Sequence, residues 1–198
     1  MREIPDRLIE TPSQTAGPYV HIGCIPSFTG IEIYDEDLGR SPIGEGAAGE
    51  IITVTGAVHD GTGAVIRDAM LESWQADSAG IYPGQEGADP QVSGFCRFAA
   101  DAESGEFVLR TVKPGPVKGR DGKIMAPHIS LWIVARGINI GLQTRMYFAD
   151  EDNASDPLLA RIEQRHRVET LLAKPNGNGS YRFDIRLQGE GETVFLDL

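Results

Sequence analysis

From residue 50 to its C-terminus, the chain alternates short β-rich segments with turns that contain glycine. Ile, Val and Thr dominate residues 50–58, and the turn signal Asp60-Gly61-Thr62-Gly63 follows directly. Residues 128–135 place three alternating Ile and Leu side chains on one face of an extended strand. We predict strands at residues 50–58, 65–74, 106–112, 128–135, 142–148, 181–187 and 193–198. Such a series predicts a mainly β fold, a sandwich or a barrel, without a domain boundary after residue 50.

Two short helices are predicted between the later strands. Asp156-Pro157 fits a capping residue followed by a proline in the first helical turn. Val168, Leu171 and Leu172 indicate a second helix, which we expect to end before Pro175 because proline cannot continue a helix.

Residues 11–30 contain no Asp, Glu, Lys or Arg. Pro12, Pro18 and Pro26 interrupt any long helix, so a membrane span is excluded. An uncharged segment of this kind cannot form its own core, and we interpret it as an extended N-terminal arm that lies against another surface. A disordered tail is the alternative, although such tails are normally charged. The predicted organisation is an arm and loop at residues 1–49 and a β-sandwich domain at residues 50–198.

Charge and composition exclude several function classes. The formal net charge is −11, from 18 basic and 29 acidic residues, which disfavours nucleic acids and anionic membranes as partners. Residues 44–49 match a nucleotide-binding glycine fingerprint by letter, but a β-rich segment follows where a helix is required, so we interpret them as a loop. Two cysteines form no disulfide framework, and no apolar signal segment opens the sequence, which predicts a cytoplasmic protein.

Two polar residues flank the apolar segment 128–135. His128 opens it, and a lone histidine there is commonly a hydrogen-bonded structural residue. Arg136 ends it, where a guanidinium can bind a carboxylate in a bidentate way or form a surface salt bridge. The residue pattern alone leaves both alternatives open at each position.

Several segments, taken in order, resemble the intradiol ring-cleaving dioxygenases. Their joint order and spacing cover nearly the whole chain, and they are Thr11-Pro12-Ser13-Gln14-Thr15-Ala16-Gly17-Pro18-Tyr19, Glu72-Ser73-Trp74-Gln75-Ala76-Asp77, Thr111-Val112-Lys113-Pro114-Gly115-Pro116, Ala126-Pro127-His128-Ile129, Ala135-Arg136-Gly137-Ile138-Asn139 and Tyr181-Arg182-Phe183-Asp184-Ile185. The resemblance implies a β-sandwich of the intradiol dioxygenase type with short helices.

The resemblance also implies where iron would bind. Catalytic chains of this family hold one Fe(III) through two tyrosines and two histidines. Tyr82 and His128 match one position of each kind, whereas Val117 and Ser130 stand at the other two. We call these four positions the relic site. Valine has no donor atom and a neutral hydroxyl is a poor substitute for imidazole, so we expect no iron in this chain.

A chain without iron resembles the alpha chain of the heteromeric members, whose partner beta chain keeps all four ligands. The implied enzyme uses O₂ to cleave 3,4-dihydroxybenzoate between its hydroxyls to 3-carboxy-cis,cis-muconate, a step of the beta-ketoadipate route of aromatic catabolism. Arg136 would bind the substrate carboxylate, and the arm would pack over the beta chain's pocket through Thr15, Gly17, Pro18 and Tyr19. Arg145 is a further candidate for facing the relic site.

Two other functions stay open at this point. A self-sufficient enzyme of the same family would need Tyr19, Tyr34, Tyr147 or Tyr181 to supply a missing ligand. A non-catalytic β-sandwich that binds sugars or a protein would need a platform of exposed aromatic side chains. The chain has only two tryptophans, Trp74 and Trp132, both on predicted strands, which gives this second alternative little support.

Overall fold

The computed structural model describes residues 15–17, 19–119 and 121–197. Most of them build a mixed β-sheet with few helices. The strands are β1 (Ile51–His59), β2 (Met70–Gln75), β3 (Phe95–Ala99), β4 (Glu106–Val112), β5 (Val117–Lys118), β6 (Ile124–Met125), β7 (His128–Val134), β8 (Leu142–Phe148), β9 (Leu172–Pro175), β10 (Ser180–Arg182) and β11 (Ile185–Arg186). The helices are α1 (Tyr19–Cys24) and three 3₁₀ helices, Pro26–Thr29, Leu159–Arg161 and Arg165–Leu171.

The main sheet has two halves that β9 joins. In the first half, β1 pairs antiparallel with β4 and parallel with β10 and β11. In the second half, β8, β7, β2 and β3 form an antiparallel ladder in that order. β9 pairs antiparallel with β10 and parallel with β8, which connects the halves. The short strands β5 and β6 form a separate ladder.

One apolar core lies between the halves. In β4, Phe107 and Leu109 are buried while Val108 is exposed, so the strand has one inner and one outer face. In β7, Ile129 and Leu131 point into the same cluster from the opposite half. Two sheet faces that share one core are the arrangement of a β-sandwich, and the predicted mainly β fold is confirmed.

The predicted strands agree best where alternation is clear. β4 and β8 have the predicted bounds, while β2 is shorter than the predicted 65–74. The strands β3, β5, β6 and β9 were not predicted, and no strand forms in the described part of 193–198. The helix predicted around Leu171 is a 3₁₀ helix, and Leu172 already belongs to β9 because its pairing with Tyr147 of β8 favours extended backbone.

The segment before β1 differs from the extended arm that we predicted. Tyr19–Cys24 is helical, and Ile25 packs with Met70 and Val134 on the outer face of the second half-sheet. The prediction of extended structure is therefore wrong for this segment, because burying its apolar side against the chain's own sheet favours a compact turn of helix. Residues 11–14 and Pro18 lie outside the described residues. Packing of residues 1–49 on a partner stays a prediction.

None of the helices in the described ranges is long and apolar enough to span a membrane.

Candidate functional site

The outer face of the second half-sheet carries the residues of interest. Side chains alternate along β7, so His128, Ser130 and Trp132 share the face opposite the core. Ser130 is in register with Trp74 of β2 on one side and with Arg145 of β8 on the other. Residues directly opposite in antiparallel strands have neighbouring side chains. A row of three polar and aromatic residues therefore crosses this face near the start of β7.

The structure brings Tyr82 and His128 together. The Tyr82 hydroxyl lies 3.3 Å from Nε2 of His128, and the Tyr82 ring stacks on Trp74 with 5.9 Å between centroids. Nδ1 of His128 lies 2.7 Å from the carbonyl oxygen of Ala126. A carbonyl only accepts, so Nδ1 carries the proton and Nε2 accepts from the Tyr82 hydroxyl. The two ligand positions that retain donor side chains are thus bonded to each other.

Burial keeps both of these side chains uncharged. It lowers the pKa of His128 to about 4, and the positive charge of Arg145 acts in the same direction. Burial raises the pKa of the Tyr82 phenol, and Arg145 offsets part of that rise. At neutral pH the pair is therefore a phenol and a neutral imidazole.

Asp156 supports this pair from below, a role that the sequence did not reveal. Its buried carboxylate accepts hydrogen bonds from the Ala126 amide at 2.9 Å and from the Tyr147 hydroxyl at 3.2 Å. It also accepts from the amides of Leu158 and Leu159, as a capping residue does, although only a 3₁₀ helix follows. The Asp156-Pro157 pair indicated a capping residue in the sequence. That Asp156 is buried close to His128 depends on the fold.

Arg145 reaches from β8 toward the two positions that have lost their donors. Its Nη1 lies 3.5 Å from Sδ of Met125, and Met125 is in register with Val117. Nε of Arg145 is buried and has no hydrogen-bond partner among the described residues. The prediction left Arg145 unranked; its register with Ser130 and its effect on the pKa of His128 place it at the relic site.

Arg136 lies at the other end of β7. Eight residues separate it from His128, a span of about 26 Å at the rise of an extended strand. Its side chain is 70% exposed and forms a salt bridge with Asp68, the surface pairing that the sequence left open. Arg136 therefore lies too far away to serve the relic site of its own chain, and its predicted role toward a substrate carboxylate stays a prediction.

Thr15 joins the described arm to this end of the strand. Its hydroxyl accepts a hydrogen bond from the Gly137 amide at 2.8 Å and lies 3.5 Å from the Ala135 carbonyl oxygen. Tyr19 is 81% exposed, and a side chain added at Gly17 would meet no atom within 4 Å. The structure thus brings Thr15 beside Arg136, while Tyr19 and the space next to Gly17 are open to solvent. Pro18 lies outside the described residues.

Comparisons with known proteins identify the family of the chain. Residues 25–189 match a family model described as a dioxygenase. The chain is 49% identical over 195 residues to the protocatechuate 3,4-dioxygenase alpha chain of Pseudomonas putida. The alignment covers 96% of this chain and 97% of the relative. The chain belongs to the intradiol ring-cleaving dioxygenase family. The resemblance read from the sequence is confirmed.

Two further dioxygenase comparisons extend this. The protocatechuate 3,4-dioxygenase beta chain of Burkholderia cepacia is 33% identical over 174 residues, covering 80% of this chain and 74% of the relative. The solved dioxygenase domain of a carbohydrate-binding fusion protein from Streptomyces sp. SirexAA-E superimposes with a TM-score of 0.56 at 23% identity, covering 83% of this chain and 96% of that one. The second comparison shows the shared fold.

Intradiol dioxygenases are iron-dependent, but the groups at the relic site do not fit a ferric ion. Val117 offers no donor and Ser130 a neutral hydroxyl, while the lone pair of His128 is taken by the Tyr82 phenol. Ferric ion prefers anionic oxygen donors, and here a guanidinium stands nearby instead. Within the described ranges, no cluster of three or more His, Cys, Asp and Glu side chains is placed to hold a metal.

The tyrosines proposed for a rearranged dioxygenase site do not complete the set. Tyr19 and Tyr34 are exposed, and the Tyr181 hydroxyl donates to Asp150 at 2.9 Å. Tyr147 does lie beside His128, with 5.7 Å between ring centroids, but its hydroxyl donates to Asp156 and burial raises its pKa. A protonated phenol held by a carboxylate is a poor metal ligand.

The two tryptophans of this dioxygenase chain share the outer face but form no broad platform. Trp74 is 42% exposed and Trp132 is partly buried, and they line a cavity of about 310 Å³ together with Phe95 and Ser130. Both side chains lie on the same face of the sheet as Ser130. The family assignment therefore gives no support to a module that binds sugars or another protein through these two tryptophans.

Proposed function

We propose that this chain is the non-iron alpha subunit of a protocatechuate 3,4-dioxygenase, an enzyme that cleaves 3,4-dihydroxybenzoate with O₂ to 3-carboxy-cis,cis-muconate. The Fe(III) belongs to a partner beta chain, and several alpha–beta pairs form the enzyme. One observation carries the proposal: a chain that matches an alpha chain along its whole length presents Val117 and Ser130 where iron ligands are needed. Two free cysteines, Cys24 and Cys96, suit a reduced cytoplasmic setting.

The alpha subunit contributes to binding rather than to bond breaking. Arg136 presents an exposed guanidinium whose planar donors match a benzoate carboxylate. Its present partner is the Asp68 carboxylate. A substrate carboxylate would replace Asp68 as the partner of Arg136. The distance from Arg136 to its own relic site supports a role at a pocket on a second chain.

The arm would complete the partner's pocket. Thr15 fixes the arm beside Arg136 through the Gly137 amide, and Tyr19 projects into solvent from the first turn of α1. Gly17 offers backbone without a side chain, so that a ring can approach closely. Pro18, between them in sequence, would fix the chain direction. These residues would orient the substrate and exclude water from it.

Expression of this chain alone and together with its beta chain tests the proposal. Both preparations are measured for iron per chain, for the visible colour of ferric tyrosinate, and for O₂ uptake with protocatechuate. We expect iron, colour and O₂ uptake only in the co-expressed complex. Catechol, which lacks the carboxylate, serves as the matched substrate control. Stoichiometric iron in the lone chain would overturn the proposal.

A further inference from the structure

The side chain of Arg145 extends from β8 toward the ladder of β5 and β6, which contains one of the predicted relic positions. On one side, Arg145 is in register with Ser130 of β7. On the other side, its Nη1 contacts Sδ of Met125 at 3.5 Å, and Met125 is the ladder partner of Val117. A single side chain thus starts beside Ser130 and ends at the ladder partner of Val117.

This guanidinium has unusual surroundings for a charged group. Its Nε is buried and lacks a hydrogen-bond partner, and no carboxylate of the described residues lies within ion-pair distance of it. The neighbouring carboxylate of Asp156 is occupied by four donors from Ala126, Tyr147, Leu158 and Leu159. A fixed positive charge therefore remains at the relic site without a fixed counter-ion.

We propose that Arg145 excludes Fe(III) from the relic site by its charge, independently of the two missing ligands. A guanidinium does not lose its proton in proteins, so its charge is permanent. A trivalent cation brought between Tyr82, His128 and Ser130 would meet that charge at short range, beside a side chain that is only partly exposed to water. Restoring both ligands is then insufficient to create an iron site. This inference deepens the proposed function and rests on it, because it explains why the alpha chain stays free of iron.

Three full-length variants test the inference. The first is V117Y/S130H, which restores both ligand types and keeps Arg145. The second adds Arg145→Gln, which removes the charge at similar length, and the third adds Arg145→Lys, a matched control that retains it. Each chain is incubated with ferric nitrilotriacetate, desalted, and measured for iron per chain and for the ferric–tyrosinate absorption band.

Only the Gln variant is expected to bind about one iron per chain and to show the band. The two charged variants should bind at least about a hundredfold more weakly, as repulsion by a nearby, partly buried like charge requires. Equal iron in the V117Y/S130H and Gln variants would overturn the inference, and so would a Gln variant that folds and binds none. Wild-type chain measured in parallel separates the two ideas, since iron in the wild type contradicts the proposed function itself.

A second comparison covers the case in which the tyrosine at position 117 prevents folding. S130H and S130H/R145Q are titrated with Co²⁺, whose visible bands report coordination by His and Tyr. We expect binding at least about tenfold tighter once Arg145 is neutral. Circular dichroism and the thermal midpoint of each variant confirm that the fold is retained. Equal Co²⁺ affinities in the two variants would contradict the role of Arg145.

Discussion

The Tyr82 hydroxyl and Nε2 of His128 are bonded to each other at 3.3 Å, across 46 residues of sequence. Both residues are predicted to occupy ligand positions of a catalytic dioxygenase chain, and each is here the other's hydrogen-bond partner. The Ala126 carbonyl fixes the tautomer that makes this possible, and Asp156 fixes Ala126. Tyr82, His128, Ala126 and Asp156 thus form a connected chain of hydrogen bonds, and its consequences can be measured as stability and as pH dependence.

We expect the free energy of unfolding to decrease as the pH falls from about 6.5 to about 4. The pKa of His128 is lowered to about 4 in the folded chain from 6.5, so the unfolded chain takes up the proton first in this window. Stability is therefore complete above pH 6.5 and is lost on acidification, by about 3 kcal/mol at roughly 1.4 kcal/mol per pH unit. Urea unfolding of wild type and H128Q at several pH values measures it.

The buried histidine His21 contributes a slope of the same sign, because burial lowers its pKa as well. That contribution is present in both proteins, so the difference between wild type and H128Q isolates His128. Parallel slopes for the two proteins would contradict the assignment.

The substitution Asp156→Asn is expected to lower the free energy of unfolding by about 2–4 kcal/mol, because a buried carboxylate that accepts four hydrogen bonds loses charge and acceptor geometry. D152N is the matched control: Asp152 is exposed and accepts only from the Ala154 amide. Its effect should stay within about 0.5 kcal/mol. Denaturant titration of both variants checks the prediction. Similar losses of unfolding free energy in the two variants would show that the buried hydrogen bonds of Asp156 do not stabilise the fold.

Gly80 and Gly84 form a matched pair for backbone packing near the relic site. Both have left-handed backbone, with φ of 79° and 83°. A Cβ at Gly80 would lie 1.9 Å from the Pro116 carbonyl oxygen, whereas one at Gly84 would meet nothing within 4 Å. We expect G84A to cost about 1–2 kcal/mol from backbone strain alone and G80A about 3 kcal/mol or more. Equal unfolding midpoints would contradict the close approach.

In the alpha–beta complex, Arg136→Ala should weaken binding of 3,4-dihydroxybenzoate by about 2–5 kcal/mol, the loss typical of a buried charge pair, and leave catechol nearly unaffected. D68N is the control, since it removes the carboxylate that now pairs with Arg136 and keeps the guanidinium. Steady-state kcat/KM with both substrates measures the selectivity. Equal losses on the two substrates would remove Arg136 from carboxylate recognition.

Deletion of residues 1–17 should weaken assembly with the beta chain while the lone chain keeps its fold. The core between the half-sheets is built from residues after Glu50, and α1 remains intact in this variant. T15V tests the contact with Gly137 specifically, with T29V as the control because the Thr29 hydroxyl bonds only to nearby Pro26. Analytical ultracentrifugation of the mixed chains reports assembly, and unchanged complexes after the deletion would refute the role of the arm.

The sequence predicted best what depends on local alternation. In β4 and β8, every second side chain is apolar or small enough for the core, so the strand bounds follow from the pattern. Leu172 gave the opposite result, since its neighbours suggested a helix and its pairing with Tyr147 of β8 makes it part of a strand. Tyr19–Cys24 is helical because its apolar side packs against the cluster that contains Met70 and Val134. The sequence alone does not indicate this contact.

The sequence alone determined that Val117 and Ser130 carry neither a phenol nor an imidazole, because a donor atom is either present in a residue or absent from it. Which groups meet was decided by the tertiary structure. Only the packing of β8 against β7 brings Arg145 to Ser130, and only the fold buries Asp156 beneath His128. Such contacts join distant residues, and their charge and burial acquire meaning only once the strands are in register.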